Sequence, residues 1–188
     1  AVRIEPFPTR EDALVSIDNL LEIVRDFPFA DDANRAAWLA ALLTPFARFA
    51  FNDITPLFVI DANAAGSGKS TLADVIGIIA SGDSMPRNVY AQNDDEMRKL
   101  ITSVAMSGTR MLLFDNVSGN IGNAALDAAL TGTTWRDRVL GTNVITAAMP
   151  LFTIWYATGN NLDLNGDTRR RVLPIRLVSS HERPEERE

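Results

Sequence analysis

Residues 57–71 read LFVIDANAAGSGKST, which joins a short apolar run to a loop of small residues and the start of a helical pattern. The run LFVID, residues 57–61, is rich in side chains that favour β-structure. Apolar side chains then recur at the spacing of one helical face, at Leu72, Val75, Ile76 and Ile79. The stretch therefore predicts a strand, a loop and a helix in that order.

The loop, residues 62–71 (ANAAGSGKST), matches the phosphate-loop pattern GxxxxGK[ST] except at its first position, where Asn63 stands in place of glycine. In such a loop backbone N–H groups point inward to hold phosphate oxygens, and side chains would obstruct that approach. Asparagine tolerates a positive φ better than most residues, so we interpret Asn63 as a mild departure. The predicted nucleotide contacts are Asn63, Ala65, Gly66, Ser67, Gly68, Lys69, Ser70 and Thr71.

Two residues of this loop carry its predicted chemistry. Lys69 would place its ammonium on the β and γ phosphates of ATP, and Ser70 would ligate Mg²⁺, beside the positive end of the helix dipole. The chain has two lysines against sixteen arginines, and one of the two stands where a compact ammonium is wanted. The competing interpretation is an ordinary glycine-rich turn between a strand and a helix.

A second apolar strand ends in an acidic residue. RMLLFDN, residues 110–116, places Asp115 where a Walker-B-like carboxylate would hold the Mg²⁺ that bridges the β and γ phosphates. Alone, this pattern fits equally well a strand that ends in a solvent-facing aspartate. Many ATPases of this arrangement have a glutamate next, which polarises the attacking water. Here Asn116 follows, and an amide can orient water but cannot accept its proton.

A polar sequence also ends a later strand. One strand–helix unit, roughly residues 86–107, separates the phosphate loop from Asp115, so the two Walker strands need not be adjacent. This arrangement is similar to the class of P-loop ATPases with an inserted central strand, and the likeness implies that the inserted strand is the one that ends in ATGNN, residues 157–161. It would bring Asn160 beside the γ-phosphate as a polar sensor, with Asn161 as the alternative. A Gly-Asn-Asn turn with left-handed asparagines is the non-functional interpretation.

Arginines cluster before the last apolar strand. NGDTRRRVLPIRL, residues 165–177, contains Arg169, Arg170 and Arg171 in succession. An arginine presented by a neighbouring subunit can stabilise transition-state charge on the γ-phosphate, which is the arginine-finger role. The alternative is a solvated basic turn balanced by nearby aspartates. The finger interpretation predicts that the protein works as a ring.

A hairpin is predicted ahead of the sensor strand. TWRDRVL, residues 134–140, puts Arg136 and Arg138 on one strand face, and residues 141–143 can turn the chain back. These arginines would contact a nucleic-acid backbone in a pore or a neighbouring nucleotide site. Equally, they would be surface residues of a hairpin packed by Trp135.

The remaining pattern alternates helices with apolar strands, which is typical of a parallel sheet covered on both faces. Thr9 with Asp12, Asp31 or Asp32, and Asn93 with Glu96 are the predicted helix N-caps. The first predicted helix is 10–26, with one apolar face formed by Leu14, Ile17, Leu21 and Val24. The second starts at Asp31 or Asp32, and Pro45 interrupts its apolar stripe of Trp38, Leu42, Leu43, Phe46 and Phe49. The other predicted helices are 94–106 and 123–130, and the further strands are 88–91, 151–157 and 172–178. We predict an α/β P-loop NTPase with a mostly parallel sheet flanked by helices. Its regions are a helical segment (1–55), an ATPase core (56–178) and a charged tail (179–188).

Composition narrows the function classes. The 188 residues are 46% hydrophobic and 22% charged, with no cysteine and a single histidine, His181. This inventory excludes disulfide frameworks, cysteine nucleophiles, zinc cages and most Ser-His-Asp arrangements. A net charge of −6 disfavours tight nucleic-acid binding by an isolated monomer, so any such binding must be local.

Targeting signals are not readable in this chain. No run of 18 apolar residues is present and the start lacks the layout of a signal peptide, so we expect no membrane span and a cytoplasmic protein. The start without methionine and the charged ending HERPEERE predict an excised piece of a longer protein.

Taken together, these motifs resemble the ATPase domain of superfamily-three helicases, of the phage, plasmid and poxvirus type of primase-helicase. They are the phosphate loop, FDN at 114–116, RVLG at 138–141, ATGNN at 157–161 and GDTRRR at 166–171. The resemblance covers nearly the whole chain, because the helical lead-in with its FPF sequence also looks like the segment before the loop in those phage proteins. It implies an AAA+/RecA-like ATPase that forms a hexamer, moves single-stranded DNA through its channel and often follows a primase domain.

The resemblance also assigns roles by position. It assigns the nucleotide and Mg²⁺ contacts to Lys69, Ser70 and Asp115 and makes Asn160 the sensor. Arg170 and Arg171 stand where the family's paired arginines follow Gly-Asp, so they are preferred to Arg169 as fingers. The chain departs from the family at Asn63 and at the hairpin tip, which has no lysine.

Two functions remain from the sequence. The leading expectation is the ATP-hydrolysing motor domain of a DNA helicase. The alternative is a nucleotide-gated oligomeric DNA-binding or assembly module with little hydrolysis, which Asn116 and the negative net charge favour. A small-molecule kinase ranks third, since no lid with an arginine clamp is readable.

Overall fold

The computed structural model describes residues 6–138 and 145–179. Its helices are α1 (Arg10–Glu22), α2 (Asp32–Ala47), α3 (Lys69–Ser81), α4 (Asp94–Ser107) and α5 (Ala124–Ala129), with a 3₁₀ turn at Thr168–Arg171. Its strands are β1 (Leu57–Ala62), β2 (Arg87–Asn88), β3 (Met111–Val117), β4 (Asn120–Ile121), β5 (Thr134–Trp135), β6 (Met149–Pro150), β7 (Ile154–Asn160), β8 (Asp163–Leu164) and β9 (Val172–Leu177).

Five parallel strands form the central sheet in the order β2-β3-β7-β1-β9. Strand β7 lies between β1, which precedes the phosphate loop, and β3, which carries Asp115, as predicted for the strand that ends in ATGNN. In register, Tyr156 of β7 pairs with Phe58 of β1 on one side and Leu113 of β3 on the other. The mostly parallel α/β sheet predicted from the sequence is confirmed.

Successive side chains of each strand enter opposite cores, because a strand alternates faces with a period of two. The face under α2 and α3 takes Phe58, Ile60, Leu113, Ile154 and Tyr156. The face under α4 and α5 takes Leu57, Val59, Leu112, Phe114 and Trp155. Helices cover both faces, which is why these strands read as continuous apolar runs.

Local capping chemistry sets the helix starts where the sequence predicts them. Thr9 and Asp12 form a reciprocal capping box, Asp31 rather than Asp32 caps α2, and Asn93 caps α4. Gly82 ends α3 in the left-handed conformation. The first helix ends at Glu22, four residues before the predicted end.

The predicted apolar faces of the first two helices are only partly buried. No residue of α1 is buried, and Leu14 is exposed. In α2, Trp38 and Leu42 lie in the core, but Phe46 is half exposed. Pro45 lies inside α2 without ending it. Because proline has no N–H to donate to the carbonyl of Ala41, that carbonyl accepts from Tyr156 Oη instead, at 2.9 Å. Periodicity identifies an apolar face but not how far along it the core extends.

A cavity of about 660 Å³ lies beyond the end of α2, where β3 and β7 begin. Arg48 stacks over Phe51 and Phe152 at 5.1 and 5.0 Å, and Arg110 stacks over Phe49 at 4.4 Å. None of the residues predicted for nucleotide binding lines this cavity, which is at the amino ends of β3 and β7. The aromatic residues predicted to extend the α2 core stripe line this cavity instead.

Several predicted boundaries move by a few residues. The strand predicted at 88–91 is the two-residue β2, and the strand predicted at 151–157 begins three residues later, at Ile154. The predicted hairpin is present as β5 paired antiparallel with β6, with a further bridge between Arg138 and Ile145. Its tip, residues 141–143, lies outside the described residues, as do His181 and the tail from residue 180.

The helical segment joins the edge of the sheet through its FPF sequence. Phe29 forms an antiparallel bridge with Leu177, and the N–H of Val178 donates to the carbonyl of Pro28 at 2.7 Å. The strand edge of β9 is thereby covered. Within residues 6–138 and 145–179, every helix is too short or too polar to cross a membrane.

Candidate nucleotide-binding site

Four predicted residues meet in two hydrogen-bonded pairs at the carboxyl ends of β1, β3 and β7. Lys69 Nζ donates to Asn160 Oδ1 at 2.7 Å and to the carbonyl of Ala64 at 3.3 Å. Ser70 Oγ donates to Asp115 Oδ1 at 2.8 Å. The lysine, the hydroxyl, the carboxylate and the amide come from three separated segments and share one crevice at the carboxyl ends of the strands, where open α/β sheets bind ligands.

The loop itself is shaped by two left-handed glycines. Gly66 has φ 70° and Gly68 has φ 83°, in the region that favours glycine. A Cβ atom on Gly68 would also lie 2.8 Å from Cε1 of Phe27. Gly68 caps α3 without any side-chain hydrogen bond, so the first N–H groups of this helix receive no side-chain acceptor. Such a helix start suits an anion.

Lys69 is buried in this crevice. Burial lowers the pKa of its ammonium, while the charges of Asp61 and Asp115 act in the opposite direction. The oxygens that now accept hydrogen bonds from Lys69, those of Ala64 and Asn160, are neutral. Negatively charged phosphate oxygens would replace them, because hydrogen bonds to charged acceptors are stronger.

Asp115 is held on both sides. Its Oδ1 accepts from Ser70 Oγ and, at 2.7 Å, from Thr158 Oγ1, and its Oδ2 lies 3.2 Å from a guanidinium nitrogen of Arg87. Burial acts to raise the pKa of Asp115, but the hydrogen bonds from Thr158 and Ser70 and the charge of Arg87 bring it below the ordinary value. The carboxylate is therefore ionised, as a Mg²⁺ ligand must be.

Sequence reasoning missed two contributors, Thr158 and Arg87. Thr158 lies inside the quoted ATGNN sequence, and a buried hydroxyl in a mostly apolar strand is the signal that could have identified it. It also accepts the backbone N–H of Asn116 at 2.8 Å. Arg87 comes from the edge strand β2, which pairs with β3, and no local motif marks it.

Asn116 lies at an irregularity of β3. Its φ is 55°, and the register with β7 shifts between Phe114 and Val117. A bulge of this kind changes the direction of the side chain and is frequent next to active sites. The residue directly after Asp115 therefore has a left-handed backbone, which sets the direction of its side-chain amide.

The expectation for Asn63 is corrected. The left-handed residues other than glycine in the described chain are Asn116 and Asn161, and Asn63 is not one of them. Its side chain instead pairs with the backbone of Ser179, donating at 2.9 Å and accepting at 3.0 Å. Asn63 thus ties the start of the loop to the end of β9, a contact that glycine could not make.

The two sensor candidates separate clearly. Asn160 reaches Lys69, whereas Asn161, at φ 48°, accepts from Arg176 at 2.7 Å. Arg176 also pairs with Asp61, at the end of β1. The geometry therefore joins Asn160 to the lysine and Asn161 to a neighbouring ion pair.

The arginines predicted as fingers lie on the 3₁₀ turn and differ in their freedom. The side chain of Arg170 is 82% exposed, and its nearest acidic partner is Asp167 at 3.8 Å. Arg171 is 29% exposed, pairs with Asp127 at 3.6 Å and donates to the carbonyl of Asp167 at 2.5 Å. Arg169 is exposed. Among the described residues, none of the three has a hydrogen bond or ion pair with Lys69 or Asp115.

The predicted hairpin is anchored on α4. Trp135 Nε1 donates to Thr102 Oγ1 at 2.9 Å, and Asp137 accepts from Arg98 at 2.6 Å and from Thr102 at 2.8 Å. Arg136 and Arg138 are exposed. This arrangement fits both interpretations of the two arginines.

Comparisons with known proteins bear on the fold alone. No family model matches the chain, and no curated protein matches it. Among solved structures, the apo A form of the NrS-1 C-terminal region is similar over 93% of this chain, with 16% identity and a TM-score of 0.50. A JCV helicase structure covers 92% of this chain at 15% identity and a TM-score of 0.46. The chain spans 39% of the first neighbour's length and 53% of the second's.

Proposed function

We propose that this chain is the Mg²⁺-dependent, ATP-hydrolysing motor domain of a DNA helicase, of the superfamily-three primase-helicase type found in phages and mobile elements. The observation that carries the proposal is the convergence of Lys69, Ser70, Asp115 and Asn160 at a glycine loop that begins a helix. An ordinary glycine-rich turn would not need a buried lysine aimed at a polar side chain of another strand.

Each residue has a defined task in this proposal. The loop N–H groups and Lys69 hold the β and γ phosphates, with Gly66 and Gly68 leaving room for them. Asn160, now bound to Lys69, contacts the γ-phosphate and reports its presence. Because Lys69 is already directed into the crevice, little side-chain freedom is lost when phosphate replaces its present acceptors.

Ser70 and Asp115 have the chemistry of magnesium ligands. Ser70 Oγ and Asp115 Oδ1 lie 2.8 Å apart, both are oxygen donors, and the carboxylate is ionised. These two side chains would hold the ion together with phosphate oxygens. When bound, Mg²⁺ neutralises charge on the β and γ phosphates.

The step from binding to hydrolysis depends on Asn116. Its amide can orient an attacking water but cannot take the proton, so we expect slow turnover in the isolated chain. This is also the observation that favours the second candidate, a nucleotide-gated oligomeric DNA-binding or assembly module with little hydrolysis.

We further propose that the chain acts as a hexameric ring on single-stranded DNA, in the cytoplasm, beside a fused or associated primase domain. The exposure of Arg170 supports a role at a neighbouring subunit's nucleotide. Arg171, bound to Asp127, would hold the turn in position. Arg136 and Arg138 on the anchored hairpin would contact the DNA backbone.

The direct test compares the two lysines of the chain. We expect ATP hydrolysis that needs Mg²⁺, rises with single-stranded DNA and collapses in Lys69→Ala. Lys99→Ala is the matched control, because Lys99 lies on α4 and pairs only with Glu96 among the described residues. Equal turnover of Lys69→Ala and the wild type would refute the assignment of the phosphate loop.

Oligomeric mass is the test of the ring. Native mass should increase to that of a hexamer on adding a non-hydrolysable ATP analogue and an oligonucleotide. Assembly with little hydrolysis would favour the second candidate, and a monomer under every condition would contradict the ring.

A further inference from the structure

Arg87 forms a bridge between two carboxylates at the metal end of the crevice. One guanidinium nitrogen lies 3.2 Å from Asp115 Oδ2, and the other lies 2.5 Å from Asp74 Oδ2. Arg87 comes from β2, and Asp74 comes from α3, one helical turn after Ser70. The bridge therefore joins the edge strand, the phosphate-loop helix and the proposed metal ligand.

In this arrangement both oxygens of Asp115 are occupied. Oδ1 accepts from Ser70 and Thr158, and Oδ2 faces the guanidinium. A Mg²⁺ ion bound to Asp115 would lie close to a fixed positive charge. Because like charges repel strongly in a partly buried site, ion binding and the Arg87 contact oppose each other.

Asp74 offers the guanidinium a second position. Its Oδ1 is buried and has no hydrogen-bond partner among the described residues, while its Oδ2 is bound by Arg87. A buried acceptor without a donor is costly and calls for an explanation. The planar fork of an arginine can satisfy both oxygens of one carboxylate at once.

We propose that Arg87 is a positioning residue with two states: it bridges Asp115 and Asp74 in the empty site, and it pairs bidentately with Asp74 alone once Mg²⁺ and nucleotide occupy Asp115. The inference rests on the proposed function of the site. In the first state Arg87 neutralises and orients Asp115. In the second it satisfies the buried oxygen of Asp74 and leaves Asp115 to the metal, so its movement sets the affinity for Mg²⁺.

Substitutions of Arg87 and of Asp74 are then expected to change the Mg²⁺ requirement in opposite directions. Arg87→Gln removes the competing charge, so the Mg²⁺ concentration for half-maximal nucleotide binding should fall about twofold to fivefold. Asp74→Asn weakens the second position, keeps Arg87 on Asp115 and should raise that concentration by a similar factor. Arg98→Gln is the matched control, since Arg98 is equally exposed (45% against 44%) and pairs with Asp137 elsewhere.

The double variant Arg87→Gln/Asp74→Asn controls for two side effects of removing the arginine alone. The single arginine variant leaves a buried, uncompensated carboxylate, which can destabilise the fold or attract Mg²⁺ by itself. With both charges gone, the lowered Mg²⁺ requirement should persist. If it returns to the wild-type value, the effect belonged to Asp74 and the proposal is wrong.

The measurement is the fluorescence of the N-methylanthraniloyl derivative of ATP, at fixed concentration, titrated with MgCl₂ and repeated in EDTA. An increased Mg²⁺ requirement in Arg87→Gln, a decreased one in Asp74→Asn, or no change in either overturns the two-state role while nucleotide binding stands. A wild-type protein that binds no nucleotide at any Mg²⁺ concentration overturns the proposed function as well.

Discussion

Alanine at Gly68 would test the shape of the phosphate loop directly. Gly68 is the N-cap of α3 and has φ 83°, and an added Cβ would lie 2.8 Å from the ring of Phe27. A left-handed L-residue costs about 1–2 kcal/mol. Overpacking against the half-buried Phe27 adds roughly 1–3 kcal/mol. We therefore expect Gly68→Ala to lower the free energy of unfolding by about 2–5 kcal/mol.

The other end of the same helix supplies the control. Gly82 has φ 82°, almost the value of Gly68, but nothing lies within 4 Å of an added Cβ. Gly82→Ala should therefore show only the backbone cost, about 1–2 kcal/mol. The difference between the two variants isolates the overlap with Phe27. A cycle that adds Phe27→Ala to each should remove this difference.

Urea unfolding followed by tryptophan fluorescence measures the effect, because Trp38 and Trp155 are buried. Nucleotide titration of the same variants adds a second measurement: Gly68→Ala should weaken binding and Gly82→Ala should not. If the two variants unfold at the same urea concentration, then Phe27 does not pack against the loop and the account of Gly68 is wrong.

Three further predictions address catalysis, assembly and pH. Asn160→Ala should keep nucleotide binding but lower ATP turnover by roughly 100–1,000-fold; equal turnover in a steady-state assay would exclude a sensor role. Mixing Arg170→Ala subunits with Lys69→Ala subunits should partly restore ATPase activity at shared interfaces, and no rescue at any ratio would argue against a finger acting between subunits. Burial acts to raise the pKa of Asp137, yet the hydrogen bond from Thr102 and the other contacts bring it below 3.8. Its stabilisation is therefore present above pH 3.8 and lost as the pH falls through the folded-state pKa, so Asp137→Asn should cost about 1–3 kcal/mol at pH 7 and nothing in strong acid. Unfolding curves across this range would contradict the prediction if the cost did not change with pH.

The sequence was most informative where structure depends on neighbouring residues. The caps at Thr9, Asp31 and Asn93 follow from side chains that bind the next turn of backbone, and each starts its helix as predicted. The parallel sheet followed from continuous apolar runs, which are local patterns that a single sequence contains. Of the strand order, only the place of the ATGNN strand between the two Walker strands was predicted, from the likeness to a class of sheets with an inserted central strand.

The parts that were missed arise from pairing between distant segments. Arg87 meets Asp115 only because β2 pairs with β3, and Asn63 meets Ser179 only because β9 lies beside β1. Neither contact has a spacing that a motif could record. The same reasoning explains Asn63: its sequence position suggested a backbone role, but its actual partner lies 116 residues away.

The contacts around the phosphate loop together favour preorganisation. Asn63 fixes the start of the loop to β9, Phe27 packs against its last glycine, and Ser67 Oγ donates to the carbonyl of Ala64 at 2.7 Å inside it. A loop constrained at both ends and across its middle has little conformational freedom left to lose on binding. Its N–H groups can then act on phosphate at once, because electrostatic stabilisation works best when the dipoles need not reorient. Slow hydrolysis measured in an assembled ring would therefore point to Asn116 and not to a disordered phosphate site.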